Sequence, residues 1–197
     1  MEWHHIVDPE DKLLDELAVR YKLHQLHIED CRHRNQSAKI EFLEDYLFVV
    51  LKPVKMDEEC IIEATDLDMF VGKDYLITVQ EGVCSPLDGI LERLRPAASR
   101  LSTGEMFYKV FDGIVDMYLP VTDRIGERID ELEELALNSP KTSTMEELFT
   151  LRRVLIELRR ILANSRDVAG HILRTEYPQI GPELQPFFRD VYDHTAR

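Results

Sequence analysis

The sequence predicts an α/β (α+β) fold in which a mixed sheet flanked by helices is followed by a long antiparallel helical hairpin and the start of a further helix. Helix and strand signals alternate through about the first hundred residues. From about Ser102 onward, apolar residues instead recur at steps of three and four, the period of amphipathic helices. We therefore expect an N-terminal part at 1–102, a hairpin at 103–178 and a last helix from 179 to 197.

Segments that predict strands alternate with segments that predict helices in the N-terminal part. "WHHIV" predicts a short strand, and Asp8-Pro9 predicts the start of a helix that continues into a second short helix carrying "HQLHIEDCR". The runs "DYLFVVLKPVKM", "CIIEATDLDMFV" and "YLITVQ" are rich in strand formers and predict antiparallel hairpins around residues 45–80. Ser85-Pro86 then predicts a cap and the first turn of the helix "LDGILERLR".

The hairpin begins with a long amphipathic helix that we expect to kink at Pro120. Its apolar face is formed by Phe107, Val110, Ile114, Met117, Val121, Ile125, Ile129, Leu132 and Leu135. Its other face is acidic and carries Asp112, Asp116, Asp123, Glu127, Asp130 and Glu134. The segment "NSPKTST" predicts the loop that ends it.

The second helix of the hairpin has a leucine seam and an arginine-rich surface. The seam is Leu148, Leu151, Leu155, Leu158 and Leu162, and the arginines are Arg152, Arg153, Arg159, Arg160 and Arg166. Either these arginines face the acidic stripe of the preceding helix, or they are solvated. In the second case each ion pair that they form contributes little to the free energy of folding.

Composition excludes several partners. The 197 residues include 38 acids and 24 bases, a formal charge of −14, which argues against binding to nucleic acid or anionic lipid headgroups and is compatible with cations. The three cysteines, Cys31, Cys60 and Cys84, have no metal-knuckle spacing and indicate free thiols in a reducing compartment. The opening "MEWHHIVDPE" does not have the pattern of a signal peptide, and no run approaches the roughly 20 apolar residues of a membrane span.

Two short stretches carry candidate metal ligands. In "LHQLHIED", His24 and His27 lie three apart, which makes a zinc site conceivable, and a soluble metal-dependent enzyme using them with Asp30 is one alternative function. The adjacent carboxylates Glu29 and Asp30 suit a hard cation bound by oxygen. In "RDVYDH", Asp190 precedes His194 by four residues. No G-x-S-x-G elbow or glycine-rich phosphate loop accompanies them, so we expect no enzyme activity.

Five segments in order resemble the cytoplasmic part of CorA-type magnesium transporters. They are "LHQLHIED" followed by Lys39 in "AKIEF", "DYLFVVLK", "YLITVQ", "FDGIVDMYLPVTDRIGERIDELE" and "FFRDVYDH", and the resemblance covers essentially all 197 residues. "QSAK" departs from the Arg-Pro-Lys of the family. The last helix has no terminating residue, so we expect it to start the family's stalk helix, with two membrane helices beyond it.

The resemblance implies a homopentameric channel in the cell membrane, with this part on the cytoplasmic side sensing Mg²⁺, and Co²⁺ also possible. It implies that Asp30 of one subunit and Asp190 of its neighbour flank a divalent cation. Glu29 and Asp112 help to form a second site. Loss of the cations would let the acids repel one another and open the pore. A zinc-transporting member of the same superfamily is the other alternative.

Overall fold

A five-stranded mixed sheet forms the centre of the N-terminal part, in a computed structural model that describes residues 1–33, 36–138 and 142–196. Its strands are β1 (Glu2–Ile6), β2 (Lys39–Phe42), β3 (Tyr46–Leu51), β6 (Leu67–Gly72) and β7 (Tyr75–Gln80), in the order β1-β7-β6-β3-β2. β1 and β7 are parallel and the other pairs antiparallel. β4 (Val54–Met56) and β5 (Ile62–Ala64) form a separate ribbon. The predicted mixed sheet is confirmed.

Helices cover both faces of this sheet. One face packs on α1 (Lys12–Tyr21) and α2 (Gln25–Arg32), and the other on α3 (Ser85–Leu94) and α4 (Thr103–Asp116). Because side chains alternate along a strand, Phe48 and Val50 of β3 enter the first core, and Leu47 and Val49 enter the second. All six residues of β3 are buried, as expected for a strand covered on both sides.

Two of the predicted helix starts are displaced. Asp11, and not Asp8, caps α1, and its carboxylate accepts the backbone N–H of Leu13 at 2.9 Å. Asp8-Pro9 forms the turn before the cap, in which the Asp8 carboxylate accepts the N–H of Glu10. Likewise, Cys84 occupies the cap position of α3, which places Ser85 inside the helix.

The predicted kink at Pro120 is an interruption three residues earlier. α4 ends at Asp116 and α5 (Tyr118–Asn138) begins after Met117. Proline has no N–H to donate to the carbonyl four residues before it, here that of Asp116, and its ring crowds that carbonyl. At the other end of α4, Ser102 and Glu105 form a reciprocal capping box.

The remaining helices complete the hairpin and return the chain to α4. α6 (Thr142–Arg174) spans 33 residues, and α7 (Gln185–His194) packs on α4 and α6. The predicted loop "NSPKTST" lies partly outside the described residues, at 139–141, and α6 already includes its last residues, from Thr142 onward. The domain boundaries at 102 and 178, and the stalk assigned to the last helix, stay predictions.

The leucine seam of α6 differs from the predicted one. Leu155 is 38% exposed, and Leu148 and Leu162 are half-buried. The buried line instead runs through Leu151, Val154, Leu158, Ile161, Val168 and Ile172. α6 has to pack on both α5 and α7, so its buried face is centred between two partners and not on one coiled-coil seam.

Of the two alternatives for the arginines of α6, the structure favours the solvated one. The ion pair across the hairpin joins Arg128 of α5 to Glu147 of α6, with Nη2 and Oε1 2.6 Å apart, which reverses the expected polarity. Within the described residues, none of the five arginines makes an ion pair with the acidic stripe or with any other carboxylate.

Candidate functional site

The short helix α2 presents the predicted pair Glu29 and Asp30. His24 caps its N-terminus, where its Nδ1 accepts the backbone N–H of Leu26 at 3.2 Å. At the other end the imidazole of His33 donates from Nδ1 to the carbonyl oxygen of Glu29 at 2.7 Å. Because His27, Ile28 and Cys31 form the buried face of α2, the side chain of Glu29 projects outward and is exposed.

Asp30 forms an ion pair with a lysine of the same chain. Its Oδ2 accepts a hydrogen bond from Nζ of Lys39 at 2.7 Å, and Lys39 also donates to Oε1 of Glu41 at 2.7 Å. Burial lowers the pKa of Lys39, but the hydrogen bonds to Asp30 and Glu41 outweigh it and leave this pKa above its usual value. The ammonium group therefore stays charged and neutralises part of the charge that Asp30 could offer to a dication.

The structure argues against the zinc site at His24 and His27. His27 is 3% exposed, and its Nδ1 lies 2.9 Å from the hydroxyl oxygen of Tyr46 and its Nε2 3.2 Å from Oε2 of Glu41. Nδ1 of His24 is used in the cap of α2. In the described residues, no group of three or more potential metal ligands includes either histidine or Asp30. The structure therefore does not support a metal-dependent active site formed by His24, His27 and Asp30.

A second acidic patch lies where α7 packs on α4. Phe188 is fully buried, and its ring centroid lies 5.5 Å from that of Phe107 and 6.4 Å from that of Phe111. Asp112 follows Phe111 on α4, and Asp190 lies two residues after Phe188 on α7. The aromatic contact therefore brings the two carboxylates to the same edge of the helix pair.

Asp112, Asp190 and His194 converge at this edge. One potential ligand atom from each lies within 4.8 Å of the others, and Nε2 of His194 is 3.6 Å from Oδ1 of Asp190. Burial, followed by the charges of Asp116 and Asp190, raises the pKa of Asp112 above its usual value. Asp116 and Asp190 repel the ionised form of Asp112, and a cation bound among these carboxylates would relieve that repulsion.

The single chain brings together only part of the predicted set. Asp112 and Asp190, assigned by the resemblance to two sites, lie in one cluster, whereas Glu29 and Asp30 lie on a different helix. The sequence pairs His194 with Asp190 but does not indicate a role for it. Its signal was the four-residue step from Asp190, which places both side chains on one helix face. Three ligand atoms leave half of the octahedral shell of Mg²⁺ to water or to another copy.

A third group of carboxylates is buried beneath α2. Asp68 is 2% exposed, and its Oδ1 has no hydrogen-bond partner among the described residues. Burial, followed by the charge of Asp66, raises the pKa of Asp68 to about 8. Asp66 itself forms a buried ion pair with Lys52.

Comparison with known proteins identifies the family. The family model described as "CorA-like Mg2+ transporter protein" matches residues 1–197. The chain is 32% identical over 181 residues to the cobalt/magnesium transport protein CorA of Thermotoga maritima, covering 90% of this chain and 52% of that protein. It is 29% identical over 197 residues to the putative metal ion transporter YfjQ of Bacillus subtilis, covering 99% of this chain and 61% of the relative.

Solved structures share the fold. The soluble domain of CorA from Methanocaldococcus jannaschii matches with a TM-score of 0.82 at 21% identity, covering 98% of this chain and 78% of that one. The cytoplasmic domain of ZntB from Vibrio parahaemolyticus matches with a TM-score of 0.76 at 14% identity, covering 99% and 78%.

The chain thus spans between half and two thirds of the two curated relatives. Among the described helices, none combines the length and apolar character needed to cross a bilayer. The match over all 197 residues and the identity to the Thermotoga maritima protein agree. The chain belongs to the family of CorA-like Mg²⁺ transporter proteins.

Proposed function

We propose that this chain is the cation-sensing part of a membrane transporter for Mg²⁺, and also Co²⁺, and that it regulates transport from the cytoplasmic side. Divalent cations would bind between copies in a homopentamer, with Asp30 of one subunit facing Asp190 of the next, and with Glu29 and Asp112 contributing to a second site. The observation that carries this proposal is the cluster of Asp112, Asp190 and His194, whose ligand atoms lie within 4.8 Å of one another.

The separation of the two acidic patches supports binding between copies. Glu29 and Asp30 lie on α2, and Asp112 and Asp190 lie on α4 and α7. A ring is built from heterologous contacts, in which one patch of a subunit meets a different patch of its neighbour. Two incomplete ligand sets on different helices suit such a contact, since each can complete the other.

Charge gives a mechanism for regulation. Each subunit has a formal charge of −14, so copies carry like charge, and cations bound between them reduce the resulting repulsion. A cation at a hundredfold excess over its dissociation constant stabilises the assembled state by about 2.7 kcal/mol per site. When the cation is scarce the stabilisation is lost, the subunits separate at the acidic patches, and the pore can open.

We expect Mg²⁺ to raise the melting temperature of the assembled chain by about 5–10 °C, because about 2.7 kcal/mol per site corresponds to a shift of this size. Asp190→Asn and Asp30→Asn should each remove most of this shift, measured by differential scanning fluorimetry. Glu16→Gln, which neutralises an exposed carboxylate on α1, is the matched control and should keep it. Equal shifts in all four proteins would contradict the site.

Lys39 should weaken cation binding at Asp30. A dication about 5 Å from the ammonium is repelled even in water, so Lys39→Met should tighten Mn²⁺ binding about tenfold. Lys55→Met is a matched control, because Lys55 also pairs with a carboxylate, that of Glu63 at 2.9 Å. Binding can be followed by electron paramagnetic resonance. Weaker or unchanged Mn²⁺ binding in Lys39→Met would show that Lys39 does not compete with the cation.

His194 supports a second candidate, a family member that transports Zn²⁺. An imidazole nitrogen within the carboxylate cluster suits Zn²⁺ or Co²⁺ better than Mg²⁺. The same melting experiment, repeated with Zn²⁺ and with His194→Ala, separates the candidates. A zinc site would lose its protection in His194→Ala, whereas protection by Mg²⁺ would persist.

A further inference from the structure

The outer face of α6 carries an exposed apolar line between two rows of arginines. Met145, Phe149 and Ile156 are 49%, 53% and 60% exposed, and steps of four and seven residues place them on one line of the helix. Exposed arginines flank this line on both sides: Arg152 and Arg159 on one side, Arg153 and Arg160 on the other. We call this surface, opposite the buried face of α6, the arginine face.

The outer face of α5 has the complementary charge. Its exposed carboxylates recur at steps of four, three and four residues, so they share one side of the helix: Asp123, Glu127, Asp130 and Glu134. Val121, Ile125 and Leu132 form the buried face of the same helix. We call the row of four carboxylates the acidic face.

The two faces do not meet within one chain. The hairpin joins α5 to α6 through their buried faces and through the ion pair between Arg128 and Glu147. In the part of the chain that the structure describes, no residue of the acidic face and no arginine of the arginine face forms an ion pair. Both sets of charges therefore remain available to a partner.

We propose that the arginine face of one copy docks on the acidic face of a second copy. The acidic face spans about 16 Å and the arginines about 12 Å along their helices, so the row of arginines fits within the length of the acidic row. Burial of Phe149 and Ile156 would add an apolar contribution at the centre of the contact. Packing two arginine faces together would instead place like charges opposite each other.

The geometry of this contact follows from the location of both faces on every copy. Because one copy's α6 meets another copy's α5, the contact is heterologous and can repeat around a closed ring. The inference rests on the proposed assembly of copies and names a surface for it that contains none of the proposed metal ligands.

Two charge-reversed variants test the contact in buffer containing EDTA, which removes divalent cations and keeps the proposed cation sites empty. One variant carries Arg152→Glu with Arg159→Glu, and the other carries Asp123→Lys with Asp130→Lys. Each variant alone should self-associate at least tenfold more weakly than the natural chain in sedimentation equilibrium. An equimolar mixture should recover, because every contact between unlike variants again joins opposite charges.

A charge-matched variant separates the effect of the two faces from the effect of net charge. Glu16→Lys with Glu92→Lys makes the same change of charge as Asp123→Lys with Asp130→Lys but outside both faces, so it should self-associate as strongly as the natural chain. A natural chain that stays monomeric to about 1 mM, or a mixture that does not recover, would overturn the proposal. The proposal would also be overturned if the variant with Arg152→Glu and Arg159→Glu kept its self-association but lost binding to phosphatidylglycerol vesicles. The partner of the arginine face would then be a membrane. All of these outcomes are independent of the cation sites.

Discussion

Replacing Phe188 with alanine is expected to lower the free energy of unfolding by about 3–5 kcal/mol, the range for removing a large aromatic side chain from a core. Phe188 is fully buried between α4 and α7, and its ring centroid also lies 5.8 Å from that of Tyr108. Urea unfolding measures the effect. Cation binding should weaken as well, because α7 would no longer hold Asp190 beside Asp112.

The neighbouring residue provides the control for this prediction. Phe187 is 49% exposed and contacts Tyr108 from the outside, with ring centroids 5.2 Å apart. Phe187→Ala should cost less than about 1 kcal/mol, as for most exposed positions, and should leave cation binding unchanged. Equal losses in the two variants would mean that the contact between α4 and α7 does not position the acidic cluster.

The second large effect is expected at the buried carboxyl group of Asp68. Burial and the charge of Asp66 raise its pKa to about 8, against 3.8 for an unperturbed group. Between these two values the folded chain binds a proton that the unfolded chain has released, so stability falls as the pH rises through this window. Above about pH 8 both states are ionised and this contribution no longer changes.

Asp68→Asn removes this proton linkage while keeping the shape of the side chain. At pH 7.5 the variant should be more stable than the natural chain by about 2–4 kcal/mol, and the difference should disappear near pH 4. Urea unfolding across this pH range gives the measurement. A difference that does not depend on pH would show that the carboxyl group of Asp68 does not change its protonation on folding.

The fold was predictable from local signals because those signals agree with one another. Strand formers mark β3, β6 and β7, and Pro120 marks the interruption between α4 and α5. The errors occur where several partners compete for one helix. The leucine seam of α6 contained the right residue types, but packing on both α5 and α7 moved the buried line away from Leu155.

The candidate site was only partly predictable for a related physical reason. Glu29 and Asp30 form a visible pair in the sequence, and Asp190 and His194 share a helix face by spacing alone. The approach of Asp112 to Asp190 depends on aromatic packing between α4, which ends at Asp116, and α7, which begins only at Gln185, and no local pattern encodes such a contact. The hydrogen bond from Lys39 to Asp30 depends on where β2 begins relative to the end of α2. The nine-residue separation of the two residues in the sequence does not determine this placement.

Cation-dependent association of two complementary variants tests the central claim most directly. Asp30→Asn and Asp190→Asn each remove one half of the proposed site, so Mg²⁺ should not increase the association of either protein alone. An equimolar mixture retains one complete contact, between Asp190 of the first variant and Asp30 of the second, and should form Mg²⁺-dependent dimers in sedimentation velocity. If each variant alone assembles with Mg²⁺ as the natural chain does, the cation does not bridge Asp30 and Asp190 between copies.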